Sequence, residues 1–177
     1  TFVDDALCTY EDTVNGLVAY TAFMDHIKQR FELRDDGFQD AIEFIGMCFT
    51  WGPNRDTVSF SQSGALDHIL EEHGFTQCRL ALPPGLPNVL ISERESPPPG
   101  PEGDEERAFM KGKPYRSRIG SLIWIARCSL PAIAHQVNAL ARVNQNPGKA
   151  HWDASSHLLR YVAGVRDQQL VFRRRAD

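Results

Sequence analysis

Val14, Leu17, Val18, Thr21, Met24, Ile27 and Phe31 recur at the three-and-four spacing of one helix face. Thr9-Tyr10-Glu11-Asp12 just before them has the form of a capping box, in which a hydroxyl satisfies the first free amides of a helix. Upstream, apolar residues flank Asp4-Asp5 between Phe2 and Thr9, a pattern that predicts two short strands joined by a tight turn. Residues 41–51 (AIEFIGMCFTW) are apolar at both alternating phases, which predicts a strand covered on both faces. Gly52-Pro53-Asn54-Arg55-Asp56 is turn chemistry, and Thr57–Ser61 alternates, so this stretch reads as a β-hairpin. Leu66, Ile69, Leu70 and His73 mark one face of a short helix stopped by Gly74.

The second half is more helical. Tyr115–Cys128 places Ile119, Leu122, Ile123 and Ala126 on one face. Ser129 can cap the next helix, with Pro131 in its first turn and a stripe of Ile133, Val137, Leu140, Ala141 and Asn144. A last helix from about 151 to 164 turns Trp152, Ser155, Leu159, Val162 and Ala163 inward. Between the two halves, residues 83–113 hold seven of the eleven prolines, with glycines and acids among them. Proline removes an amide donor and like charges repel, so this stretch is expected to be a flexible or polyproline-like linker.

Composition narrows the class. With 42% hydrophobic and 24% charged residues the chain is globular, with neither the charge excess of a disordered segment nor a membrane span. The four cysteines stand dozens of residues apart with no C-x-x-C pair, so they read as reduced thiols. The net charge of −4 hides an asymmetry. Up to Met110 there are 7 cationic and 20 acidic side chains; from Lys111 onward there are 12 and 3. The second part is therefore +9, and it carries Arg116, Arg118, Arg142, Lys149 and Arg160. Such a segment is either a solvated surface or one that meets phosphates.

One constellation could carry chemistry. Asp4 and Asp5 sit side by side at the expected turn, where their repulsion is relieved by a divalent cation such as Mg²⁺. The bland alternative, a solvated turn, stays open, and one pair supplies too few ligands for two metals. His68 and His73, and His151 and His157, are spaced wrongly to share a helix face as metal ligands. The three tryptophans read as core rather than stacking platforms.

The order of motifs adds to this. Phe2-Val3-Asp4-Asp5 resembles the Y-V-D-D hairpin of reverse transcriptases. Residues 31–37 (FELRDDG) look like F-x-M-x-D-L-G of copia-type LTR retrotransposon polymerases, Phe44-Ile45-Gly46 like their F-L-G, and Phe60-Ser61-Gln62 like their L-S-Q. After the proline stretch, residues 114–122 (PYRSRIGSL) match P-Y-R-S-x-x-G-S-L, and Leu130-Pro131-Ala132-Ile133-Ala134 resembles R-P-D-I-A. Asn146-Pro147-Gly148, His151-Trp152 and residues 159–164 (LRYVAG) resemble N-P-x-x-x-H-W and L-R-Y-L-x-G.

This resemblance implies an α+β fold: a partial right-hand polymerase palm of β-hairpins and a helix, followed by a helical thumb. Residues 1–61 would be palm, 62–82 the first thumb helix, 83–113 the linker, 114–166 the rest of the thumb, and 167–177 a basic tail toward a ribonuclease H domain. The implied reaction is RNA-directed DNA synthesis with Mg²⁺, or Mn²⁺, in a two-metal site. Asp4 and Asp5 carry over as its metal ligands, and Phe44, Gly46 and Trp51 as the primer grip. Arg116, Arg118, Arg142, Lys149 and Arg160 would meet the phosphates of a primer–template duplex. The expected partners are that duplex and the rest of a Pol polyprotein, with no membrane; the expected place is the cytoplasm or a virus-like particle. Fingers and a third catalytic Asp are not among the matched motifs, so the chain alone is expected to be inactive; the alternatives are a non-catalytic nucleic-acid-binding module built from the thumb, or a decayed transposon remnant. Phe2 stands where the family has Tyr, Leu130 where it has Arg, and Ala132 where it has Asp.

Overall fold

The computed structural model describes residues 8–11, 13–33, 37, 39–86 and 91–174. The expected hairpin around Asp4-Asp5 lies outside them. Helix α1 spans Val14–Lys28. Its cap is Thr13, whose Oγ1 accepts from the amide of Gly16 at 3.0 Å, so the capping box expected at Thr9 does not start the helix. The apolar stripe is present, yet no α1 residue is buried; Val14 is 80% exposed and Val18 63%.

Strands β1 (Ala41–Phe44), β2 (Met47–Trp51), β3 (Thr57–Ser61) and β4 (Leu170–Arg173) form an antiparallel sheet in that order. The single two-faced strand expected over residues 41–51 is a tight hairpin. Ile45 (φ 51°) and Gly46 (φ 68°) make its turn, both in the left-handed region that type I′ turns require. A two-residue turn shifts the parity of the inward positions, which explains the misreading. Ile42 pairs with Phe49 and Phe44 with Met47. Even positions before the turn and odd positions after it therefore share one face. Phe49 pairs with Phe60, Trp51 with Val58, Phe60 with Leu170, and Val58 with Phe172, so that face is apolar across all four strands. The rings of Phe49 and Phe60 lie 4.8 Å apart, and those of Phe60 and Phe172 5.2 Å. None of these side chains is fully buried. The expected basic tail is thus in part an edge strand.

The core lies in the helices. Helix α2 (Ser63–Glu72) buries Leu66, Ile69 and Leu70; α4 (Tyr115–Cys128) buries Ile119, Leu122 and Ile125. Helix α5 (Ala134–Arg142) buries Val137 and Leu140, and α6 (Lys149–Gly164) buries Leu158, Leu159 and Val162. These residues form one cluster, each worth about 1.5–3 kcal/mol over its exposed state. The remaining helix, α3, spans Asp104–Met110. The Ser129 hydroxyl does not cap α5. It donates to Gln62 Oε1 at 2.8 Å, tying the start of α2 to the end of α4.

The described part of 83–113 is no open linker. It holds one-turn helices at Glu93–Glu95 and Pro101–Gly103 as well as α3, and Leu86, Ile91 and Met110 pack on the core. Proline lacks a donor but keeps its carbonyl, and side chains both within and outside the stretch bond those carbonyls. His157 Nε2 donates to Pro83 O at 2.9 Å, Asn146 Nδ2 to Pro97 O at 2.9 Å, and Arg107 Nη1 to Pro98 O at 2.6 Å. The stretch is a strap laid across the helices.

Candidate nucleic-acid interface

The five expected phosphate contacts do not form one row. Arg116 is exposed in the first turn of α4; its Nε donates to Asn144 O at 3.2 Å and its Nη2 to Gln145 Oε1 at 2.9 Å. Arg142 ends α5 and Arg160 lies on α6, both exposed. Lys149 opens α6, where its Nζ meets Asp153 at 2.6 Å, so its charge is partly offset. Arg118 is different: only 2% exposed, it is part of the interior and cannot reach a phosphate on the surface. The expectation for that residue is corrected.

Its burial has clear causes. Residues 118, 122 and 125 follow at helical spacing, so Arg118 shares the apolar face of α4. Its Nη1 donates to Ser155 Oγ at 3.0 Å and Ser156 Oγ at 3.1 Å. Desolvation pushes its pKa down to about 10, opposed by nearby Tyr115, so it remains charged at neutral pH. The same burial drives the Tyr115 phenol far up; that hydroxyl donates to Leu140 O at 3.0 Å.

Around Arg116 the sequence reading had missed two residues. Lys111 and Lys113 line the same groove as Arg116, between the end of α3, the start of α4 and the α5–α6 loop. By sequence they stand where the proline-rich stretch meets the basic second part. The alternation of cations from Arg107 through Arg118, straight after the acidic run 102–106, was the available signal.

Of the expected primer-grip residues, Phe44 ends β1, Gly46 occupies the hairpin turn, and Trp51 ends β2. Phe44 and Trp51 lie on the apolar sheet face; Gly46 supplies backbone conformation only. Asp4 and Asp5 lie outside the described residues. Among the described residues, no group of three or more His, Cys, Asp or Glu side chains could hold a metal. No helix among them is long and apolar enough to cross a membrane.

Similarity extends along nearly the whole chain. Over 171 residues, 97% of its length, it is 29% identical to the retrovirus-related Pol polyprotein from transposon TNT 1-94 of Nicotiana tabacum. Over 173 residues, 98% of its length, it is 27% identical to the retrovirus-related Pol polyprotein from transposon RE2 of Arabidopsis thaliana. The chain is a homologue of retrotransposon Pol polyproteins. It spans 12% and 11% of the lengths of these two relatives. A 65-residue stretch, 37% of this Pol homologue, is 31% identical to 46% of the secreted RxLR effector protein 161 of Plasmopara viticola. No family model and no solved structure matches it.

Proposed function

We propose that this Pol homologue is the palm-to-thumb portion of a retrotransposon reverse transcriptase and helps hold a primer–template duplex. One observation carries the reading: motifs resembling those of reverse transcriptases follow in order from residue 2 to residue 164, in a chain of which 97% aligns with a Pol polyprotein. The antiparallel hairpins followed by a helical unit are consistent with a palm edge and a thumb. In that enzyme, Asp4 and Asp5 would hold Mg²⁺, which would supply the charge stabilisation of nucleotidyl transfer. Two carboxylates are too few for a two-metal site, so these 177 residues should not polymerise alone. The enzyme would act inside the cell, in the cytoplasm or a virus-like particle.

Primer extension on a DNA-primed RNA template tests this. The chain alone should give no product. A chimera with this chain replacing the matching stretch of the Nicotiana tabacum polyprotein should extend primers, and Asp4→Ala or Asp5→Ala should abolish it. Extension indifferent to both substitutions would refute the assignment.

A further inference from the structure

The groove beside Arg116 has a volume of about 590 Å³. Arg107, Lys111, Lys113 and Arg116 line it, and no carboxylate does. In a chain of net charge −4 this is a local reversal of sign.

How the cations are held matters more than their number. Arg107 is offset by Asp104, 2.8 Å away. The other three have no ion pair among the described residues. Arg116 is steadied by the Asn144 carbonyl and the Gln145 amide oxygen, both neutral. Lys113 Nζ lies 4.3 Å from the ring centre of Phe109 and 4.7 Å from that of Trp152. Lys111 is exposed at the rim. A cation held by carbonyls or aromatic faces is positioned without being neutralised, so its charge stays available to an outside anion. Part of the ordering cost of binding is already met. Ser117 and Asn146 add uncharged polar groups to the lining, which suit sugar and phosphate oxygens.

We propose that this groove seats the phosphodiester backbone of a nucleic-acid strand, with Lys111, Lys113 and Arg116 each neutralising phosphate charge. The site deepens the proposed function and rests on it for the identity of the polyanion. Its recognition is sequence-independent, because backbone contacts carry no base information.

The test is fluorescence anisotropy of the 177-residue chain with a labelled RNA–DNA hybrid of about 20 base pairs, titrated from about 50 to 200 mM salt. Lys111→Glu should weaken binding about tenfold or more, and Arg116→Gln should lower the salt slope by about 0.9. Arg127→Gln, outside the groove, should change neither. Each variant's thermal melt should match the parent, since both groove side chains are exposed. Hybrid binding untouched by both groove substitutions would overturn the site and leave the reverse-transcriptase reading standing. Groove-dependent binding of heparin without the hybrid would overturn the nucleic-acid occupant. Failure of the reverse-transcriptase reading shows separately, in primer extension by the chimera.

Discussion

The guanidinium carbon of Arg118 lies 3.6 Å from the ring centre of Trp152, joining α4 to α6 inside the helical core. The stacking leaves Nη1 free to donate to the Ser155 and Ser156 hydroxyls, so a buried cation is held by a ring and two alcohols. Lysine cannot reproduce a planar fork stacked on a ring. Arg118→Ala and Arg118→Lys should each destabilise the fold, by about 2–4 and about 1–3 kcal/mol, through lost hydrogen bonds, packing and a poorly satisfied interior. Urea unfolding measures both. A stability equal to the parent's for Arg118→Ala would show that the pair does not hold the helices together.

The middle of the strap over 83–113 is tied to α6 by a buried imidazole. His151 is fully buried. Its Nδ1 accepts from the Gly148 amide at 2.8 Å, and its Nε2 donates to Ser92 O at 2.9 Å. One ring thus satisfies the start of α6 and anchors the strap. His151→Phe keeps an aromatic ring, though a larger one, and leaves both partners unbonded, at about 2–4 kcal/mol. The variant should melt earlier and be cut by protease within 83–113 before the rest of the chain. Equal protection of that stretch in parent and variant would contradict the anchoring role.

These two arginine and histidine sites show what sequence could and could not carry. Helices α4 and α6 were legible because their apolar spacing persists through several turns. The hairpin over β1 and β2 was misread because a two-residue turn makes one face look like two. The strap was misread because counting prolines counts missing donors and ignores carbonyls, two of which find partners far along the chain, at Asn146 and His157. Strand β4 was missed because a short apolar run beside three arginines resembles a tail, and its pairing with β3 spans most of the chain. In the candidate site, charge type alone suggested phosphate contacts. The spacing of Arg118 from Leu122 and Ile125 already placed it on the buried face.

Strand β4 covers the edge of β3, and Phe172 extends the aromatic row begun by Phe49 and Phe60. Without it, the unpaired groups of β3 and an apolar face would form an open edge, a template for association. Deleting 167–177 should lower the melting temperature and produce concentration-dependent oligomers by light scattering. Phe172→Ala, which keeps the backbone pairing, should cost only about 1 kcal/mol because the ring is half exposed. A deletion product that stays monomeric with an unchanged melt would show that β4 protects nothing.

His73 supplies a pH dependence with a definite sign. It caps the C-terminus of α2, half-buried, and its Nε2 has no hydrogen-bond partner among the described residues. A helix C-terminus ordinarily favours an imidazolium. Here desolvation lowers the pKa below 6.5, Arg118 lowers it further, and Glu72 only partly opposes them. The unfolded chain therefore binds this proton more readily than the folded one. Stability from this group is complete above pH 6.5 and declines as pH falls below it toward the folded value. Glu95 also titrates with folding, its carboxylate held below 4.5 chiefly by the Ser92 hydroxyl. Its contribution is present above pH 4.5 and is lost below it, so the two windows separate. Urea unfolding at about pH 7.5 and about pH 5.5 isolates His73. The parent should lose stability on acidification, and His73→Gln should flatten that loss while His68→Gln, on an exposed face of α2, should not. An equal fall in parent and His73→Gln would assign the acid sensitivity to another group.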